Sequence, residues 1–233
     1  MPYRRLPNTD KARIRSLETA IAKIKYSDYY APVLSPELMS KAEKKLQQFR
    51  EASDRYVKSL EDQVNYSKSD DYQFRLKNAR MYVSHFLTVF NLCVKRGEIK
   101  AADRAFYSIP VESGELPDLS SDISVIRCCE NAISGEKTRT SRGGIPIYNP
   151  TIAKVAVHFD LFRELYDRQC SLRQMTEESL VVVSLMRPQI DDVILDVWNS
   201  IENYFSDLEG EKKISKCREY GLIYYYRKGE QTD

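Results

Sequence analysis

Glycine and proline are scarce, 8 and 9 in a chain of 233 residues. A sandwich or barrel needs frequent tight turns, so this scarcity argues against those folds and for helices. Histidine is scarcer still, with 2 residues, His85 and His158. A di-iron carboxylate bundle requires Glu-x-x-His on two helices, and here Tyr82 and Val155 occupy the glutamate positions. Neither H-E-x-x-H nor a phosphate loop G-x-x-x-x-G-K occurs, and no cofactor is indicated.

The five cysteines, Cys93, Cys128, Cys129, Cys170 and Cys217, are odd in number and form no C-x-x-C. They read as reduced thiols in apolar surroundings rather than a disulfide framework or a zinc site. Charge of one sign is also lacking. Lys plus Arg total 36 against 34 for Asp plus Glu, a net +2, so the basic excess of a nucleic-acid binder is absent. The longest apolar stretch, Leu180 to Met186, is interrupted by Ser184 and is too short to span a bilayer. Met1-Pro2-Tyr3-Arg4-Arg5 leads into no apolar segment of the signal-peptide kind. A cytoplasmic chain without a membrane or nucleic-acid partner is the expectation.

What is present is order. Ala31-Pro32-Val33-Leu34-Ser35-Pro36 returns as Ile145-Pro146-Ile147-Tyr148-Asn149-Pro150, and Ser35 and Asn149 both suit a helix N-cap. Leu6-Pro7-Asn8-Thr9-Asp10 is echoed by Leu116-Pro117-Asp118 and Ser120-Ser121-Asp122. Asp10, Ile14, Arg15, Glu18, Ala20 and Ile21 align with Asp122, Ile126, Arg127, Glu130, Ala132 and Ile133. Further on, Arg104 and Phe106 align with Arg218 and Tyr220. These matches describe an internal repeat with units at 6–110 and 116–226 inside one domain, 1–233.

In the first unit Asn8 or Thr9 caps a short helix with Ile14, Leu17, Ile21 and Ile24 on one face. Ser35-Pro36 starts a long helix whose seam runs Leu38, Ala42, Leu46, Phe49, Ser53, Tyr56, Leu60 and Val64, about four heptads. A second long helix, near 72–96, presents Phe74, Met81, Tyr82, His85, Phe86, Val89 and Cys93, and Gly97 ends it. A short helix follows at 101–107. In the second unit a short helix over 121–134 stops at Gly135. A basic loop with Lys137, Arg139 and Arg142 follows, then long helices near 150–173 and 188–207, the latter starting at Arg187-Pro188. Residues Leu222 to Tyr226 have strand preference. The expected fold is all-α. Its duplicated helical hairpins form a pseudo-two-fold antiparallel four-helix bundle, with extra short helices and an extended tyrosine-rich tail.

Three places invite a functional reading. His85 and Asp196 occupy equivalent positions of the two units, and a pocket at the repeat interface would let the carboxylate orient the imidazole. The simpler reading is a core histidine satisfied by a carbonyl or one of the 16 tyrosines. The loop 137–142 and Arg4, Arg5, Arg13 and Arg15 could meet phosphate, but no strand-turn-helix context supports a cradle. Tyr224, Tyr225 and Tyr226 form the best candidate partner surface, because tyrosine is enriched in interface cores. The tail either docks on its own chain, beside Ser108 to Val111, or forms a subunit contact. Trp198 shares a helix face with Ile194, Ile201 and Phe205 and reads as a core anchor.

Tyr82-Val83-Ser84-His85-Phe86, Arg96-Gly97-Glu98, Trp198, Arg218, Tyr220-Gly221 and Tyr224-Tyr225-Tyr226 together resemble an uncharacterised bacterial family of all-helical proteins of unknown function. The resemblance implies a bacterial, intracellular protein and no particular activity. From the residues themselves the expectation is a non-enzymatic scaffold or protein-interaction module that contacts a partner or itself through the tail. The alternative is a small-molecule-binding or enzymatic bundle with its pocket near His85 and Asp196.

Overall fold

A computed structural model describes residues 3–26 and 33–226. It is 76% helical. The order is β1 (Tyr3–Arg4), α1 (Asp10–Lys25), α2 (Pro36–Lys68), α3 (Asp70–Lys95), a 3-10 helix (Ala101–Tyr107), α4 (Asp122–Ser141), α5 (Ile152–Tyr204), α6 (Gly210–Glu219) and β2 (Tyr224–Tyr225). The all-α expectation holds. Ala31 and Pro32, part of the double-proline signature, lie outside the described residues.

Helix starts follow local capping chemistry. Thr9 accepts from the Ala12 N–H at 3.2 Å, and Ser35 accepts from Leu38 at 3.2 Å. Ser121 and Ser124 cap each other reciprocally. Each cap satisfies an N–H that the helix leaves without a carbonyl.

Helix ends and faces depart from expectation. α4 does not stop at Gly135 but runs to Ser141, so Lys137 and Arg139 are helical rather than in a loop. Gly135 is inside the helix because a Cβ there would meet the Phe106 carbonyl oxygen at 2.6 Å and the Tyr107 ring at 2.8 Å. The glycine permits a close approach and does not punctuate. The two helices expected near 150–173 and 188–207 are one, α5, with Pro188 inside it. An interior proline costs about 3 kcal/mol. Burial of Val183 before it and of Ile190, Ile194, Val197 and Ile201 after it offsets that cost.

The buried face of α3 is Tyr72, Leu76, Ala79, Val83, Phe86, Leu87 and Phe90. Phe74 and Met81 are exposed at 57% and 50%, and His85 is exposed too. Two apolar stripes interleave on this helix, and packing buries the one through Tyr72, Leu76, Val83 and Phe90. The α2 seam is buried from Ala42 to Ser53, while Leu60 is exposed.

The chain forms two compact units, residues 1–60 with 175–233 and residues 61–174. The division falls within α2 and α5 rather than at the proposed repeat boundary. The first unit packs α1, the start of α2, the end of α5 and α6 around Leu17, Phe49, Ile190, Ile194 and Trp198. Trp198 is fully buried there, as expected. The second unit packs α3, α4 and the start of α5 around Tyr72, Phe86, Phe90, Cys129 and Phe162. The tail pairs antiparallel with the N-terminal strand, Tyr3 opposite Tyr225 and Arg4 opposite Tyr224. The expected partner, Ser108 to Val111, belongs to the other unit.

Candidate functional site

The most developed site lies in the second unit and starts from the close approach at Gly135. The next residue, Glu136, and Arg139 three positions on share a helix face. Both are buried, with exposures of 1% and 3%, as is Tyr107 at 1%. Three buried polar groups of this kind are tolerable only if they satisfy one another. Tyr107 donates its hydroxyl to Glu136. Arg139 donates from Nη2 to both Glu136 oxygens at 2.9 Å and from Nε to the Tyr107 oxygen at 2.9 Å. Burial, then the bond to Glu136, pushes the Tyr107 hydroxyl well above its ordinary pKa. It stays a donor throughout the physiological range.

The cluster also holds the segment after α4. Arg139 Nη2 donates to the Ile145 carbonyl at 2.8 Å, and the Ile147 N–H donates to Glu136 Oε1 at 3.0 Å. Ile147 is thereby buried. Ile145 and Tyr148 point outward and are 73% and 77% exposed. This pinned segment forms one wall of an open cleft of about 940 Å³. Phe106 and Ile99 contribute apolar surface, and Arg142 places its guanidinium 4.6 Å from the Phe106 ring centre. Lys100 and Arg142 are exposed cations at the lip. Glu98 on the same rim is paired with Arg96 at 3.2 Å, which leaves Asp103 as the other acid.

The lining residues include no histidine, serine or threonine; the one thiol among them is Cys93, and Glu98 and Asp103 are the carboxylates. No group of three metal-ligating side chains occurs among the described residues.

The sequence candidates are placed differently. His85 is exposed on α3 in the second unit. Asp196 is exposed on α5 in the first unit and pairs with Lys41 at 2.9 Å. Neither lines the cleft. The other histidine, His158, stacks on Tyr82 with ring centres 4.1 Å apart. Among the N-terminal arginines, Arg13 binds Asp191 through two bonds of 2.8 and 2.9 Å, and Arg4 lies 3.3 Å from Glu202. In the tail, Tyr224 and Tyr226 are half-buried and Tyr225 is exposed. Tyr224 donates to Glu202 at 2.6 Å. Tyr225 lies beside Tyr3, ring centres 6.2 Å apart.

Glu136, Arg139, Ile145 and Tyr148 escaped the sequence reading as a functional group. The signal is a carboxylate and an arginine at i, i+3 on one helix face, and Gly135 masks it by resembling a helix end. No protein-family model, curated protein or solved structure matches the chain. The resemblance to a bacterial helical family gains no support from these comparisons.

Proposed function

We propose that this chain is a non-enzymatic helical interaction module. Its partner surface is the cleft wall at 142–149, and its occupant is an extended segment of another protein. One observation carries the reading: Ile145 and Tyr148 are held outward at 73% and 77% exposure by a buried, fully bonded cluster beneath them. A mobile loop would let such side chains fold back. A pinned one presents them, and preorganisation lowers the ordering cost of binding. Lys100 and Arg142 favour a segment with an acidic residue beside its apolar anchor. The tail enters this reading as cover for its own unit, with Tyr225 and Tyr3 as its exposed edge. Five unpaired thiols suit a reducing, cytoplasmic setting. No helix among the described residues is long and apolar enough to cross a membrane.

A thermal-shift screen over metabolites and metal ions, alongside partner retention by wild type and by Ile145→Asp/Tyr148→Asp, tests the reading. The proposal expects the double variant to lose its protein partner at unchanged melting temperature. A small ligand that raises the midpoint by several degrees, with the rise abolished in Arg142→Ala, would favour the pocket alternative instead.

We also infer that the two units descend from one duplicated plan whose halves are exchanged. Support comes from paired burial. Leu17 and Cys129 are both fully buried, as are Ala20 and Ala132, Ala42 and Val155, Phe49 and Phe162, Val83 and Ile194, and Phe90 and Ile201. The closing turns also agree. Ser108 and Gly221 have φ of 56° and 85°. The following N–H reaches back to Arg104 O at 3.1 Å in one case and to Cys217 O at 3.3 Å in the other. This matches Tyr107 with Tyr220 and shifts the expected Arg104–Arg218 register by one residue. Each unit would then combine the first half of one repeat with the second half of the other.

A further inference from the structure

A guanidinium carries five N–H donors, and Arg139 spends three of them. Nε donates to the Tyr107 oxygen, and Nη2 donates to Glu136 and to the Ile145 carbonyl. The two donors on Nη1 meet no acceptor among the described residues. Arg139 is 3% exposed, yet Nη1 is not one of the unpaired atoms sealed from solvent. It keeps an opening, and the open space that Arg139 borders is the cleft. Charged donors held this far out of water and left unspent are costly unless something accepts from them. Gly144 leaves Nη1 room. A Cβ there would stand 2.8 Å from Nη1 and 2.9 Å from the Arg139 carbonyl oxygen.

The charges around Nη1 define what fits. Arg139 itself is neutralised by Glu136 at 2.9 Å. On the lip, Arg142 is set by its contact with the Phe106 ring, and Lys100 is exposed. Glu98 is taken by Arg96, so Asp103 is the lining carboxylate that opposes them. Two cations against one acid leave a single net positive charge.

We infer that the cleft seats one carboxylate on Arg139 Nη1, the Asp or Glu side chain of the extended segment bound there. That its bearer is a protein segment rests on the interaction reading above. Nη1 supplies direction, through charge-assisted hydrogen bonds from a guanidinium that Glu136 and Tyr107 hold still. Arg142 and Lys100 supply attraction. The single charge of a carboxylate balances the lip. A phosphate, with about two charges, leaves an excess facing Asp103. A neutral amide accepts the hydrogen bonds and gains no attraction. Arg139 is thus a specificity residue as well as the pin of the cleft wall.

The probes are acetate, acetamide and inorganic phosphate, titrated at constant ionic strength into the full chain carrying isotope-labelled arginine. Acetate should shift the Arg139 guanidinium signal, recognised by its contact with the Tyr107 ring, and saturate at about millimolar affinity, as suits so small a ligand. Acetamide should leave the signal in place, and phosphate should bind more weakly than acetate. Arg142→Ala should weaken acetate by about fivefold, the loss of one exposed charge contact, at unchanged melting temperature. Gly144→Ala should abolish the shift at Arg139. No saturable shift with acetate, an equal shift with acetamide, tighter binding of phosphate, or indifference to Arg142→Ala overturns the proposal. The interaction reading fails separately. Partner retention untouched by Ile145→Asp/Tyr148→Asp sinks that reading even where acetate binds. A partner lost in that variant, with acetate silent at Arg139, sinks the carboxylate seat alone.

Discussion

The two units fasten similar sets of helices in different ways. In the first, α1 meets α5 through alternating charges: Arg187 binds Asp10, Asp10 lies 3.5 Å from Arg13, and Arg13 binds Asp191. These side chains keep 11–35% exposure. In the second, Asp122 at the start of α4 takes the Tyr72 hydroxyl at 2.6 Å, and deeper down Tyr107, Glu136 and Arg139 are sealed from water. Charges that retain solvent contribute about 0–1 kcal/mol a pair and forgive the loss of a partner. A buried cluster contributes little net stability but punishes the loss of any member. The first arrangement joins helices. The second fixes a segment whose side chains must stay in one place, as the interaction reading requires.

Substitutions should sharpen this contrast. Glu136→Ala leaves Arg139 charged and buried without its carboxylate. It should destabilise by about 3–5 kcal/mol, measured by urea denaturation, and should free the 142–149 segment to proteolysis. A loss below about 1 kcal/mol would make the cluster ornamental. Gly135→Ala forces a methyl group against the Phe106 carbonyl and should cost about 1–3 kcal/mol, with the damage again read as exposure of 142–149. An ordinary helix glycine would instead gain from alanine.

Alkali should act next. Burial pushes the Cys128 thiol up to about 11 and the Cys129 thiol up to about 12, from an ordinary 9.0. Both are neutral in either state below pH 9, so their contribution is fully present there. Above it the unfolded thiols ionise and the folded ones do not, and stability falls as pH rises toward 11 and 12. The loss is roughly 1.4 kcal/mol per thiol by about pH 10. Cys129→Ala should flatten the alkaline limb of the melting-temperature profile. The smallest effect belongs to the first unit: Asp10→Asn should cost about 1 kcal/mol at low salt and less at high salt, where the pairs are screened. A cost matching that of Glu136→Ala would erase the distinction between the units.

What the sequence disclosed was local. Thr9, Ser35 and Ser121 announce helix starts because a cap depends on residues within one turn. Trp198 was legible because Ile194, Ile201 and Phe205 share its stripe. Gly135 and Pro188 misled because their meaning depends on what lies beside them. The Phe106 carbonyl turns a stop signal into a packing contact, and the burial flanking Pro188 carries the helix through a breaker. His85 sits on the weaker of two interleaved stripes of α3, a choice that only the packing of α4 and α5 decides. The partner of the tyrosine tail lay at the far end of the chain, at Tyr3, where two residues of strand give no periodic signal. The cleft was invisible for the same reason, since its wall and floor come from segments about 40 residues apart that only tertiary structure brings together.

The central claim is that the segment pinned by Glu136 is where another protein binds. A photo-crosslinking residue in place of Tyr148, introduced in the cells that make the protein, tests it most directly. The account predicts one dominant protein adduct at this position. The adduct should be absent when the same crosslinker replaces the exposed Met81, and lost when Glu136→Ala releases the segment. No adduct at 148, or equal adducts at 148 and 81, would contradict it.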